Sequence, residues 1–445
     1  MNRKLLCGAG ALGASLFAAM PAFAQAAATP VPNPGNNAWM MTSTLLVLLM
    51  ILPGLALFYG GLTRSKNMLS TMTQIGAVAC LAMLLWVIYG YGLAFGPEGN
   101  AFISWGKFFL AGVTPASTAA TFTSEVISEY VFICFQMTFA AITIALVLGS
   151  TVERIKFSAV MVFGLVWLTI TYFPIARMVW AAGGFLFAGK MFGTDLPAAL
   201  DFAGGTVVHI NAGVSALVLA MILGKRKGYP SEPMPPHSLT LTMVGTGLLW
   251  VGWFGFNAGS ALEANGSAGL AMINTFVATA SAGLFWMLAE RFSGHKGSAL
   301  GFCSGIVAGL VAVTPAAGNS GPFGAIVLGA VASIICFFAV SKLKPALGYD
   351  DALDAFGVHG IGGMVGAVGT GIVYAPSLGG PGAADFSMGA QVATQVIAVL
   401  VAIVWAAVGT VIAAYVAKAV TGLRVAPEVE QEGLDIGEHG ERAYN

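Results

Sequence analysis

The chain has 445 residues, of which 57% are hydrophobic and only 9% carry a charged side chain. Soluble domains carry about 25% charged residues, so a chain this poor in charge cannot cover a surface that faces water. Its 19 Lys and Arg balance 19 Asp and Glu, which leaves no basic excess for a nucleic-acid partner. These numbers exclude an ordinary soluble enzyme, a nucleic-acid binder and a disordered scaffold, and they indicate an integral membrane protein.

Residues 1–24 have the pattern of a cleaved secretory signal peptide. Two basic residues precede an apolar run over residues 5–20, and small residues around position 23 form a cleavage pattern. The alternative is an additional first transmembrane helix, but the run is short and is followed by Pro21. We therefore expect residues 25–37 to form a periplasmic N-terminal segment of the mature chain.

Eleven apolar stretches follow, each long enough to cross a hydrocarbon core about 30 Å thick. The predicted spans are 38–60, 68–95, 125–151, 157–180, 202–223, 238–258, 264–290, 298–314, 322–343, 353–374 and 387–420. The sequence thus predicts an all-α integral membrane protein with an eleven-helix domain over residues 38–421. Residues 422–445 are polar and acidic and are predicted to form a cytoplasmic regulatory tail.

Basic residues decide the predicted orientation. Those in the connections after the odd-numbered spans are Arg64, Lys66, Arg154, Lys156, Lys225, Arg226, Lys227, Arg291, Lys296, Lys342 and Lys344. The opposite side carries only Lys107, Arg177 and Lys190. By the positive-inside rule, the N-terminus lies outside and the C-terminus lies in the cytoplasm, as the signal peptide also requires.

An Asp–His pattern occurs twice, five spans apart. Asp201 precedes His209 by eight residues, and Asp351 precedes His359 by the same number. The match predicts two five-helix repeats of inverted topology, with span 11 added, although coincidence remains an alternative. Eight helical residues rise about 12 Å, so both imidazoles reach the middle of the membrane from opposite faces.

An ionisable side chain at that depth is costly, which makes the two histidines candidates for a transport pathway. The structural alternative is a core histidine hydrogen-bonded to a neighbouring carbonyl. Metal binding is disfavoured because no third ligand stands at a suitable spacing, and no nucleophile motif supports catalysis. For Asp201, Asp351 and Asp354, which precede helices, the alternative to a transport role is N-capping.

Aromatic residues form a second group of candidates. Phe135 and Phe139 lie one helical turn apart on span 3, Trp253 and Phe256 lie on span 6, and Trp180 ends span 4. Aromatic faces attract cations, and more strongly when both are partly desolvated. The alternative is an interfacial aromatic belt or ordinary core packing.

Several ordered motifs resemble those of the ammonium transporter family (Amt/Mep/Rh), specifically its bacterial Amt branch. They are Asp201–Gly213 (DFAGGTVVHINAG), Gly252–Ser260 (GWFGFNAGS), Val152–Phe157 (VERIKF), Phe356–Gly360 (FGVHG) and the tail pieces Glu432–Asp435 (EGLD) and His439–Glu441 (HGE). The resemblance covers about residues 38–445.

The resemblance implies roles for particular residues. An outer recruitment site would use Trp180 and Phe139 for cation–π attraction and Ser260 as a hydrogen-bond acceptor, with Phe135 and Trp253 near the same vestibule. Phe139 and Phe256 would form a stacked gate, and His209 and His359 the pore histidine pair. Asp201, Asp351 and Asp354 would be supporting acidic residues. Arg177 departs from the pattern, since a positive charge near the vestibule should weaken cation recruitment.

The resemblance also implies an assembly. Each protomer of a homotrimer would contain one pore in the bacterial inner membrane, in contact with lipid, and a cytoplasmic PII-type signal protein of nitrogen metabolism would act through the tail. No cofactor, metal or nucleic acid is expected. The implied mechanism is that ammonium loses a proton at the mouth and ammonia crosses an apolar tube, with or without separate proton transfer. The competing hypotheses are an ammonium sensor and a secondary transporter for a larger solute; an enzyme has no motif in its favour.

Overall fold

The computed structural model describes residues 30–187, 189 and 191–444. The predicted signal peptide lies outside this part of the chain. Within it, eleven helices are long and apolar enough to cross a membrane, which confirms the predicted number. They are Pro34–Leu62, Ser65–Phe95, Glu129–Ser150, Phe157–Trp180, Gly205–Leu223, Leu239–Gly259, Gly266–Phe292, Ala299–Ala316, Pro322–Leu347, Phe356–Val373 and Met388–Thr421, here spans 1 to 11.

Local sequence signals explain where several spans begin. Span 1 starts four residues before its predicted position, because the Asn33 side chain accepts a hydrogen bond from the Asn36 N–H and Pro34 occupies the first helical position. Ser238, Ser298 and Ser387 cap spans 6, 8 and 11 in the same way, through backbone N–H groups three residues later. These caps satisfy donors that have no partner within the helix.

The connection between spans 2 and 3 contains the strands of the described chain. Glu98–Gly99 pairs with Ser104–Trp105, and Thr118–Ala120 pairs with Val126–Ser128, both antiparallel. These hairpins were not predicted from the sequence, since strands of two or three residues give no measurable alternation. Short 3₁₀ helices lie in the connections at Phe108–Leu110, Met191–Gly193 and Pro376–Leu378.

Apolar side chains face outward along the bundle, as expected where the surrounding solvent is lipid. Leu84, Leu284, Leu400 and Val404 are each at least 55% exposed. The interior, in contrast, holds polar residues that make hydrogen bonds within the bundle, because an unsatisfied polar group is costly where no water is present. The protein is therefore a multi-pass membrane protein.

We call the end of the bundle that carries Trp180 the outer end and the end that carries Arg154 the inner end. A buried ionic network closes the inner end. Arg226 binds Glu153 at 3.1 Å and Asp350 at 2.8 Å, and Arg154 donates to the Asp350 carbonyl at 2.7 Å. Burial alone would raise the pKa of the Glu153 carboxyl, but Arg226 and Arg64 hold it below its usual value.

The tail packs on this inner end as two short helices, Pro427–Glu432 and Leu434–His439. Its carboxylates bind backbone N–H groups at the start of two spans: Asp435 accepts from Ser70, and Glu438 accepts from Phe157, both at 2.8 Å. Helix N-termini favour such anions. Glu430 accepts from the Lys227 N–H and binds Arg424, which fixes the first tail helix.

Candidate functional site: a histidine pair below stacked aromatic rings

The two histidines of the repeated pattern meet inside the bundle. The Nδ1 atoms of His209 and His359 lie 3.3 Å apart, and their rings are nearly parallel, with an interplanar angle of 18°. Both side chains are almost fully buried. Each histidine lies in a π-helical turn, Gly205–Ile210 or Phe356–Gly360, at the start of its span. These two turns were not predicted from the sequence. π-Helical turns often occur at functional sites.

An aspartate holds each of these turns. Asp201 accepts from the backbone N–H groups of Gly204, Thr206 and Val207 at 3.1–3.2 Å. Asp351 accepts from Ala355 and Phe356 at 3.1 and 2.7 Å. The two halves of the bundle thus use the same capping arrangement to orient their histidines.

Asp354 does not share this arrangement. Its carboxylate binds the Lys344 ammonium group at 2.7 Å, and its own backbone is left-handed, with φ at 60°. It therefore lies in the polar rim of the inner end, and neither N-capping nor contact with the histidine pair describes it.

Burial affects the charge of the two capping carboxyl groups. It raises the pKa of Asp201 to about 6, although the hydrogen bonds from backbone N–H groups oppose the shift. Burial also raises the pKa of Asp351, against the attraction of Lys344. Burial at the outer end therefore favours the neutral form of the Asp201 carboxyl more than water would.

Two glycines allow the histidine-bearing spans to cross. A Cβ atom added to Gly213 on span 5 would lie 2.1 Å from the Gly360 backbone nitrogen on span 10. No side chain fits in that space, so the backbones of the two spans touch one helical turn below His209. This contact sets the separation of the two imidazoles.

Aromatic rings close the passage above the histidine pair. The rings of Phe139 and Phe256 are stacked, with centroids 4.2 Å apart and an interplanar angle of 18°. Trp180 contacts Phe139 edge-on at 5.6 Å, and Phe135 lies 4.9 Å from Phe139. The Phe256 ring in turn lies 6.0 Å from His209. A column of rings therefore connects the outer end to the histidine pair.

Trp253 lies deeper than its predicted place near the outer vestibule. Its ring stacks on His209 at 5.3 Å, and its Nε1–H donates to Thr314 at 2.9 Å. It thus forms a wall beside the histidine pair, below the Phe139–Phe256 stack. Helical spacing predicts that Trp253 and Phe256 lie on neighbouring faces of span 6. It does not predict how far each ring lies from the outer end, because that distance depends on how span 6 packs against other spans.

The outer end presents hydrogen-bonding groups around the column. Trp180 donates from Nε1 to the Asp201 carbonyl at 2.9 Å, which fixes its ring against Phe139. The Ser260 hydroxyl donates to the Phe256 carbonyl at 2.8 Å, which leaves its oxygen lone pairs available as acceptors. Arg177 donates to the Asn100 carbonyl at 3.1 Å, so the loop after span 2 holds its guanidinium group.

Below the rings the passage widens toward the inner end. A small void of about 10 Å³ lies against His209, His359 and Phe256. A larger cavity of about 470 Å³ begins at His359 and extends to polar residues such as Glu290 and Lys344. Phe58 and Val307 border both spaces, as His359 does. Phe58 and Val307 could not be recognised from the sequence, because apolar residues in apolar helices carry no distinguishing pattern.

Such a passage cannot accommodate a hydrated ion, because the gap between the stacked rings is closed and the void below it has space for about one water molecule. It can admit a small neutral solute that hydrogen-bonds to imidazole nitrogens. Among the described residues, no group of three or more His, Cys, Asp or Glu is arranged to hold a metal ion.

Comparison with known proteins agrees with this architecture. The model of the Ammonium Transporter Family matches residues 38–444. An "Ammonium transporter" of Aquifex aeolicus is 46% identical over 411 residues, covering 92% of this chain and 93% of the relative. An "Ammonium transporter" of Bacillus subtilis is 42% identical, covering 92% of this chain and 98% of the relative.

Solved structures are similar as well. One described as "Sensor Amt Protein" has a TM-score of 0.81 at 29% identity, covering 91% of this chain and 98% of its own. Mep2 of Candida albicans has a TM-score of 0.80 at 33% identity, covering 89% and 87%. Similarity thus extends over the whole bundle.

Proposed function

The chain belongs to the Ammonium Transporter Family and transports ammonium, and from this premise we propose the route that its residues provide. It is a transporter and not an enzyme. The observation that carries the proposal is the stack of Phe139 and Phe256 directly above the His209–His359 pair, with a carboxylate at the outer end and a cavity at the inner end.

Recruitment begins at the outer end. Ammonium binds where the faces of Trp180 and Phe139 attract a cation and the Ser260 oxygen accepts a hydrogen bond from it. Asp201, which lies behind Trp180, adds a negative charge when it is ionised. These contacts replace part of the water that the ion loses at the mouth.

Deprotonation follows, because a small cation without its hydration shell is costly in an apolar tube. One N–H bond of ammonium breaks at the mouth: the electron pair stays on NH₃, and the proton passes to a water molecule there. Rotation of the Phe139 and Phe256 rings then admits ammonia to the space above the histidines. Potassium has no proton to release and stays outside.

The histidine pair gives ammonia hydrogen bonds in the apolar section. An Nδ1–Nδ1 distance of 3.3 Å requires that one imidazole donates and the other accepts. Among the described residues, none hydrogen-bonds to the Nε2 atom of His209, which can therefore bond the passing molecule. The released proton either returns to the outer water, which makes transport neutral, or follows through the pair, which makes it electrogenic.

The cellular setting that we propose is a homotrimer in the bacterial inner membrane, with the N-terminus periplasmic and the tail in the cytoplasm. The basic residues at the inner end support this orientation. Exposed apolar side chains on the bundle provide surface for lipid and for neighbouring protomers. The tail, bound to the starts of spans 2 and 4, would be where a PII-type protein acts.

The test is an ammonium concentration jump on purified protein in proteoliposomes. A saturable current that sodium and potassium do not produce means electrogenic transport, and an internal pH change without current means neutral ammonia conduction. The absence of both would contradict the proposed route. That outcome would favour an ammonium sensor, the second candidate, which the similarity to a protein described as a sensor supports.

A further inference from the structure

Span 11 contains a fully buried amide side chain, that of Gln395. Its Oε1 accepts from the Leu200 N–H at 2.8 Å, and its Nε2 donates to the Leu200 carbonyl at 2.8 Å. The same Nε2 donates to the Ala367 carbonyl, also at 2.8 Å. Both donor hydrogens and the acceptor oxygen of the amide are therefore in use, and both backbone polar groups of Leu200 are held by one side chain.

Leu200 immediately precedes the residue that organises the outer site. The Asp201 carbonyl accepts the Trp180 Nε1–H, and the Asp201 carboxylate caps the turn that carries His209. Residues 196–200 form no helix or strand that would fix this segment from within. The flanking residues are anchored elsewhere, Ala199 N–H on the Leu186 carbonyl and Phe202 N–H on the Pro315 carbonyl, so Gln395 of span 11 is what holds both backbone polar groups of the residue directly before Asp201.

The third hydrogen bond of Gln395 reaches the other repeat. Ala367 lies on span 10, eight residues after His359. One amide therefore ties the segment before the His209 turn to the helix that carries His359. Neighbouring residues on span 11 hold the same segment farther from the site: Gln391 donates to the Ala198 carbonyl, and Thr394 donates to the Pro197 carbonyl.

We propose that Gln395 is a positioning residue for ammonium recruitment: by tying Leu200 to span 11 and, through the Ala367 carbonyl, to span 10, it holds the Asp201 carbonyl where it fixes the Trp180 ring against Phe139. This inference rests on the proposed outer site. Loss of the clamp frees Leu200 and lets the Trp180 ring leave the Phe139 edge. The affinity for ammonium then falls, while the passage below the rings stays intact.

The experiment compares Gln395→Met with Thr410→Val in proteoliposomes. Methionine matches glutamine in length but cannot hold either carbonyl or the Leu200 N–H. Thr410 is a matched control, since it is also fully buried on span 11 but is bonded to Trp167 at 3.2 Å. Trp167 keeps a second bond, to Ser215, in that variant. Gel filtration and thermal unfolding are measured for both proteins.

We expect Gln395→Met to raise the half-saturating ammonium concentration by about fivefold, the equivalent of a lost cation–π contact of about 1 kcal/mol, with little change in the maximal rate. Thr410→Val should leave the half-saturating concentration unchanged. A change confined to the maximal rate, or an equal effect of both substitutions, would show that Gln395 is only part of the packing and would overturn the proposal.

If Gln395→Met does not fold, Gln395→Glu replaces it, because a carboxyl group of the same shape still accepts from the Leu200 N–H. Its half-saturating concentration should also rise, and an unchanged value would overturn the proposal. The Trp180→Leu variant distinguishes failure of the proposed outer site from failure of the positioning role of Gln395. If Trp180→Leu has no effect on affinity, the proposed outer site is wrong; if it has an effect and the Gln395 variants have none, only the positioning role is wrong.

Discussion

The Nδ1 atoms of His209 and His359 lie 3.3 Å apart, although 150 positions separate the two residues in the chain. Each imidazole is brought to this contact by an aspartate-capped π-helical turn, and the spans below them touch through Gly213 and Gly360. The pair is therefore a product of the repeat architecture, and each histidine depends on the other for one of its hydrogen bonds.

His209→Ala should lower the maximal ammonium flux by roughly fivefold, since a net hydrogen bond contributes about 1 kcal/mol and ammonia would lose one in the apolar section. The measurement is the current or pH change after an ammonium jump, together with the ratio of the ammonium response to the potassium response. His295→Ala, at an exposed histidine on the inner end, is the control. Unchanged flux and unchanged selectivity in His209→Ala would remove the histidine pair from the route.

The double substitution Trp180→Leu with Ser260→Ala should raise the half-saturating ammonium concentration by roughly thirtyfold, because a cation–π contact and a hydrogen bond each contribute about 1 kcal/mol. Transport at several ammonium concentrations gives this value. Trp405→Leu is the matched control, since Trp405 bonds to the Ile170 carbonyl away from the ring column. Equal half-saturation in the double variant and the wild type would contradict the outer site.

Acidification of the outer solution should weaken recruitment as pH falls through about 6, the value to which burial raises the pKa of Asp201. Above that pH the carboxylate is charged and attracts the cation; below it the group is neutral. Unfolding should not be the cause of this weaker recruitment. Folding raises the pKa of the Asp201 carboxyl, so the folded protein binds this proton more readily than the unfolded chain does. Protonation of Asp201 therefore does not destabilise the native state.

The corresponding measurement is the half-saturating ammonium concentration between pH 7 and pH 5. Asp201→Asn should flatten this pH profile, whereas Asp195→Asn, at an exposed position of the same connection, should not. An identical profile in Asp201→Asn would mean that another group titrates.

Gly213→Ala should reduce thermal stability, since the new methyl group would overlap the Gly360 backbone and overpacking costs about 1–3 kcal/mol. Gly247→Ala is a direct control, because a Cβ atom at Gly247 meets nothing within 4 Å. Thermal unfolding in detergent compares the two. Equal midpoints would show that spans 5 and 10 adjust their crossing without cost.

Removal of residues 422–445 should abolish control by a PII-type protein while the passage still conducts, because the tail contacts the starts of spans 2 and 4 but no residue of the ring column. Current with and without the purified regulator measures this. Glu428→Gln, at an exposed tail position, should keep the response. Loss of conduction on truncation would instead make the tail part of the transport machinery.

Much of the fold was predictable because membrane spans can be recognised from the hydropathy of consecutive residues. Span limits agree within about four residues, and the Asp–His spacing indicated two histidines at one depth. The π-helical turns were not predictable, since they arise where a capped helix start must fit against another span. The two outer hairpins are too short to show alternation.

The site was predictable only in part. The residues of the ring column and the histidine pair could be named from motifs, but the depth of Trp253 depends on how span 6 packs against span 5. Asp354 was named only as a supporting acidic residue, and its ion pair with Lys344, ten positions earlier, could not be foreseen from the sequence. Gln395 gave no signal, since its partner Leu200 lies 195 residues away and the contact is to backbone atoms.

The two ends of the route differ although the halves of the bundle repeat. The outer end is shut by stacked rings, and the inner end opens into a cavity of about 470 Å³. Passive transport obeys microscopic reversibility, so an asymmetric barrier cannot by itself drive net flow of ammonium. The asymmetry makes the site fill at different ammonium concentrations from the two sides, so influx and efflux will have different half-saturating concentrations. Without a membrane potential or pH gradient, however, the maximal rate divided by the half-saturating concentration will be equal for influx and efflux.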